Sequence, residues 1–172
     1  MSGADAVTVA IEIAVTPATA FAVFTEELDA WWQRGPRYRV LAPYEGVLWL
    51  EPGVGGRLLH ARGDDRDDAF EVGRVRVWDP PHRLVFSWRL PNFTTDQVTE
   101  VEICFERIGE GTRVTLTHRG WDHIPTDHPA RHGQVDRAFV LFRGRWWADL
   151  LGAAKRRAEQ AHHRIDATGG RS

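Results

Sequence analysis

From Gln134 to Gln160 the chain carries one apolar stripe, Val135, Ala138, Phe139, Phe142, Trp146, Leu150 and Ala153, at steps of three and four. That spacing places the stripe on one face of a single long helix, and the face needs an apolar partner. Gly144 and Gly152 fall inside it, each weakening the helix by about 1 kcal/mol against alanine. Such a helix is held by packing rather than by propensity, and the partner must come from what precedes it.

What precedes it is mostly strand. Val7, Val9, Ile11, Ile13 and Val15 alternate with Thr8, Ala10, Glu12 and Ala14, the period of a strand with one buried face. Thr16-Pro17 then supplies an N-cap and a proline at the first helical position. Phe21, Phe24, Leu28 and Trp31 follow at helical spacing until Gly35-Pro36 breaks it. Further strands are predicted over 46–50, 57–62, 69–78, 84–90, 99–105 and 112–119, parted by short Gly-, Pro- and Asp-rich turns. The apolar phase slips at Gly73, between Val72 and Val75, which predicts a β-bulge that curves the sheet. In the last strand Val114, Leu116 and His118 share one parity and face inward. The order predicts an α+β fold: a curved antiparallel meander of about six or seven strands wrapped around the C-terminal helix, with two short helices after strand one. The domain is expected over 7–160, with 1–6 a tail and the polar stretch 161–172 frayed.

The 172 residues suit one domain, and the net charge of −2 argues against nucleic acid and anionic membrane as partners. The single cysteine, Cys104, fits a reducing compartment, and neither a leader nor a membrane-length apolar run is visible, so a cytoplasmic location is expected. Eight tryptophans are more than packing alone demands in a domain this size. They suggest flat, amphipathic walls around a ligand.

Several stretches resemble the START-like, or SRPBCC, superfamily, and more narrowly the homologues of the activator of the heat-shock-protein-90 ATPase. They are Phe24-Thr25-Glu26 leading to Trp31-Trp32, Glu51-Pro52-Gly53-Val54-Gly55-Gly56-Arg57, Trp78 through Trp88 with its Asp79-Pro80-Pro81-His82 turn, Gly111 through His118, and Trp147 with Leu150-Leu151. The resemblance runs from about Val7 to Ala158. It implies a helix-grip fold with an apolar tunnel between helix and sheet, in a group that includes lipid carriers and cyclases. Because strand one begins so near Met1, the separate chaperone-binding domain of the eukaryotic co-chaperone is expected to be missing.

Within that frame, Trp31, Tyr38, Trp49, Leu58, Phe70, Phe86, Trp88, Val101, Ile103, Phe139, Phe142, Trp146 and Leu150 are the expected cavity lining. His60, His118, Tyr38, Tyr44 and Arg119 are the polar groups that could orient a ligand. His118 on an apolar face reads first as a histidine satisfied by its neighbours and second as a general base. His60 is ambiguous even in its facing. His128 and His132 stand four apart, but Pro129 separates them and no CxxC or HExxH frame accompanies them, so a solvated loop is expected rather than a metal site. Asp64, Asp65, Asp67 and Asp68 lack the glycine and glutamate of a calcium loop. Arg143, Arg145, Arg156 and Arg157 read as a solvated helix face. No nucleophile elbow or phosphate loop is present, and no cofactor or metal is expected. The leading function is a protein that binds a small hydrophobic or aromatic molecule. The alternatives are a chaperone-linked or regulatory interaction domain, and a cyclase, aromatase or hydrolase using His118 or His60. A homodimer is left open.

Overall fold

The computed structural model describes residues 6–39 and 46–168, and their side chains except 162 and 164–168. Tyr44, most of the expected N-terminal tail and residues 169–172 lie outside the described residues. The elements run β1 (Val7–Ile13), α1 (Pro17–Glu26), α2 (Leu28–Trp31), β2 (Val47–Leu50), β3 (Arg57–Ala61), β4 (Phe70–Asp79), β5 (Arg83–Trp88), β6 (Thr99–Ile108), β7 (Gly111–Arg119), two 3-10 turns (Trp121–His123 and Pro129–Arg131), and α3 (Asp136–Thr168). The seven strands form one antiparallel sheet in the order β1-β7-β6-β5-β4-β3-β2. It curls into a half-barrel that grips α3, as the helix-grip pattern predicts.

The curl is concentrated in β4. Val72 is an extra residue against β3, where Leu58 pairs with Gly73 and Leu59 with Glu71. Arg76 is a second extra residue against β5, between Val75↔Phe86 and Val77↔Val85. One phase slip in the sequence therefore corresponds to two bulges, and each adds bend and twist. Strand parity holds in β6 and β7, where Thr99, Val101, Ile103 and Phe105, and Thr112, Val114, Leu116 and His118, are buried. α1 opens on Thr16, whose hydroxyl accepts the Thr19 N–H at 3.3 Å. It packs Phe21 and Phe24 edge-on and tilted against Phe105 and Trp78.

α3 lies against β1, α1 and α2. Its buried face is Phe139, Arg143, Trp146, Trp147, Leu150, Leu151, Ala154 and Ala158. This is rotated from the expected stripe: Val135 precedes the helix and is exposed, and Ala138 is exposed too. The face turns because α3 must cover β1 on one side and the Trp32–Trp88 stack on the other. Beyond Leu151 the helix is tied down rather than loose. Lys155 Nζ donates to the Glu12 carbonyl at 2.7 Å, Glu159 accepts the Ala14 N–H at 3.0 Å, and Arg157 pairs with Glu27 at 2.6 Å. Helix continues to Thr168, past the expected domain end at 160.

Candidate functional site

Four tryptophans close the space beneath α3. Trp32 stacks on Trp88 with centroids 5.6 Å apart, and Trp146 and Trp147 meet both edge-on at 5.8 to 6.3 Å. The middle of the grip is therefore filled by rings, together with Leu150 and Leu116. The open space lies at one end, where α3 begins. There a cleft of about 490 Å³ is walled by Trp88 and Leu90 at the end of β5, Phe142, Arg143 and Trp146 on α3, Pro36 to Arg39 on the turn after α2, and His132. A volume of that size fits a small organic ligand.

Each wall residue is held in place. Trp146 Nε1 donates to the Arg37 carbonyl at 2.8 Å, and its ring lies nearly parallel to Tyr38 at 6.2 Å. Tyr38 Oη donates to Asp149 at 3.0 Å. Trp32 Nε1 donates to the Tyr38 carbonyl at 3.0 Å, which fixes the turn. Arg39 is buried and donates to the carbonyls of Trp32, Gln33 and Gly46 while its Nη1 meets Asp29 at 2.6 Å. His132 packs on Phe142 at 5.0 Å, and burial, aided by the Arg143 charge, holds its pKa below the usual histidine value.

Arg143 was expected on a solvated face and is instead 5% exposed. Its guanidinium lies between the Trp121 and Trp146 rings, 4.8 and 4.9 Å from their centroids. Burial pulls its pKa down to about 10. The signal was present in the sequence: Arg143 stands four from Phe139 and four from Trp147, on the buried stripe itself.

Of the expected lining, Tyr38, Trp88, Phe142 and Trp146 reach the cleft. Trp31, Leu58, Phe86, Val101, Ile103 and Leu150 are buried in the main core, and Phe70 packs against it. Phe139 belongs to a second apolar cluster with Phe93, Trp121 and Ile124. Trp49 borders a separate groove on β2, and the Arg66 guanidinium covers its ring at 4.0 Å. Arg119 points outward to Glu100 and Glu102.

The two buried histidines differ. His118 Nδ1 accepts the Trp147 indole N–H at 3.1 Å, and its Nε2 meets Thr99 Oγ1 at 2.7 Å. The Thr99 hydroxyl donates to the Trp88 carbonyl at 3.0 Å, so Nε2 must carry the proton that Thr99 accepts. Both ring nitrogens are occupied by structural partners. His60 is also fully buried, in a strand covered on both faces, yet among the described residues neither ring nitrogen has a hydrogen-bond partner. His128 caps the 3-10 turn by accepting the Ala130 N–H and meets Phe93 edge-on, while His132 belongs to the cleft, so the two do not share a face. Among the described residues no group of His, Cys, Asp or Glu is placed to hold a metal ion. No helix among them is long and apolar enough to cross a membrane.

Comparison with known proteins adds a lineage to this geometry. A family model described as activator of Hsp90 ATPase homolog 1-like protein matches residues 14–139. Curated proteins gave no significant match. Among solved structures, PFC0360w, an HSP90 activator from Plasmodium falciparum, is 17% identical over 86% of this chain and 91% of its own, with a TM-score of 0.58. The Aha1 dimer from Colwellia psychrerythraea is 18% identical over 90% and 96%, with a TM-score of 0.57. An anthrahydroquino-γ-pyrone synthase, Txn09, is 32% identical over 69% and 79%, but at a TM-score of 0.46 that superposition carries no argument.

Proposed function

The chain belongs to the family of activator of Hsp90 ATPase homolog 1-like proteins, and on that premise we propose that it binds a small aromatic molecule in the cleft at the start of α3. The observation that carries this reading is the wall itself: the aromatic residues Trp88, Phe142, Trp146 and Tyr38 line about 490 Å³ of space. Flat rings offer apolar area at little conformational cost and favour a flat guest. The site lies at the mouth of the grip, because the tryptophan cluster occupies its centre.

A thermal-shift panel of flat aromatics, sterols and acyl chains, followed by native mass spectrometry of the hits, tests the reading. A ligand at 100 times its Kd stabilises the fold by about 2.7 kcal/mol. For a domain of this size that corresponds to a rise of roughly 5–10 °C in Tm. Trp88→Ala should abolish the shift for that ligand. No shift across the panel, with only the unladen mass observed, would end the proposal.

A further inference from the structure

Among the described residues the cleft contains a charge with no counter-charge. Arg143 makes no hydrogen bond or ion pair among the described residues, and its Nε is buried without a partner. The guanidinium carbon lies over the rings of Trp121 and Trp146, 4.8 and 4.9 Å from their centroids, and such cation–π contacts supply no oxygen acceptor to its five N–H donors. Buried charges in proteins are ordinarily paired, because an unpaired one forfeits its hydration without return. Two described acids beside the cleft are engaged elsewhere. Asp29 holds Arg39, and Asp149 holds Tyr38 and sits 3.5 Å from Arg37 at the exposed rim. Among the described residues no carboxylate lines the cleft, whereas Arg37, Arg39 and Arg143 all do.

We propose that the occupant of this cleft is an aromatic carboxylate whose anionic group pairs with the guanidinium of Arg143. The inference rests on the aromatic-binding reading above and adds its charge. The two tryptophans pack on the guanidinium, whose fork of donors matches a planar two-oxygen acceptor. The ring of the same ligand then lies between Trp88, Phe142 and Trp146. An unfilled arginine in a desolvated place also means that the empty protein carries a destabilising feature that the ligand removes.

The experiment compares 1-hydroxy-2-naphthoate with its neutral amide, 1-hydroxy-2-naphthamide, by tryptophan-fluorescence titration and calorimetry on the full chain. The expected result is at least tenfold tighter binding of the carboxylate by the unaltered protein, falling to parity in Arg143→Met and partly restored in Arg143→Lys. Arg143→Met should itself melt no lower than the parent when empty. Arg143→Gln provides the same comparison if the methionine variant does not fold, and Arg145→Met, an exposed neighbour, should keep the full preference. Equal binding of acid and amide by the unaltered protein overturns the anionic assignment while leaving the aromatic reading intact. Loss of the preference in Arg37→Met but not in Arg143→Met overturns the assignment to Arg143. Binding of neither compound, together with a silent panel, sinks both readings.

Discussion

The indole N–H of Trp147 donates to His118 Nδ1 at 3.1 Å, joining α3 to β7 through a fully buried pair. The chain of donors continues through His118 Nε2 to Thr99 and from Thr99 to the Trp88 carbonyl. One imidazole therefore couples the helix, β7, β6 and β5. His118→Ala would leave the Trp147 N–H unsatisfied and open a cavity. Each such orphan costs about 1–3 kcal/mol, so the loss should be about 3 kcal/mol by urea denaturation. A change under about 0.5 kcal/mol, the size of an ordinary surface substitution, would refute this structural role.

Acid should weaken the fold through its buried histidines. Burial first, and the Arg39 charge second, bring the His60 pKa down to about 4, with Asp29 opposing. Burial and the Arg143 charge hold His118 well below 6.5. In both cases the unfolded chain takes up the proton first, so stability rises with pH across this range. The contribution is present in full above about 6.5 and is lost as pH falls, for His60 down through about 4. Denaturation series at pH 8, 6 and 4.5 should show a progressive decline, and His60→Leu should shrink it. An unchanged slope in that variant would show that His60 is not the group responsible.

Two glycines should respond to alanine in opposite ways. A Cβ at Gly73 would stand 1.6 Å from the Ser87 carbonyl oxygen, so strands β4 and β5 would have to part. Gly73→Ala should cost at least about 2 kcal/mol, at the upper end of overpacking effects. A Cβ at Gly144 would rest 3.7 Å from Val7 Cγ1, an ordinary contact. Gly144→Ala should instead stabilise α3 by up to about 1 kcal/mol, because the sheet does not need the missing methyl. Thermal melts of the two variants moving in the same direction would contradict this account.

These glycines also mark what the sequence could and could not tell. Period-two alternation located the sheet, and the switch to steps of three and four located α3, because both periods follow directly from backbone geometry. The phase slip at Gly73 pointed to the bend but not to its second bulge at Arg76, which turns Trp78, three residues after Val75, to the same core-facing side. The cleft was harder. Tyr38, Trp88, Phe142 and Trp146 were identifiable as aromatic residues in suitable positions. Phe86, Ile103 and Leu150 share that parity or stripe and yet fill the core, since periodicity gives a face but not a depth. Arg143 is the instructive case: its charge points to solvent, whereas its spacing from Phe139 and Trp147 puts it on the buried stripe.

The last prediction concerns the ion pair beside the cleft. Asp29 Oδ1 accepts from Arg39 Nη1 at 2.6 Å and from the Leu48 N–H at 2.9 Å, so one carboxylate links α2, the cleft turn and β2. Arg39 is 3% exposed and would be left charged and uncompensated without it. Asp29→Ala should therefore cost about 3–5 kcal/mol, the range for breaking a buried pair from one side. Disrupting the exposed Arg37–Asp149 pair through Arg37→Ala should cost no more than about 1 kcal/mol. Combining Asp29→Ala with Arg39→Met should recover much of the first loss, since no stranded charge remains. If the double variant is as unstable as the sum of its parts, the penalty comes from lost packing, and the electrostatic account of this turn is wrong.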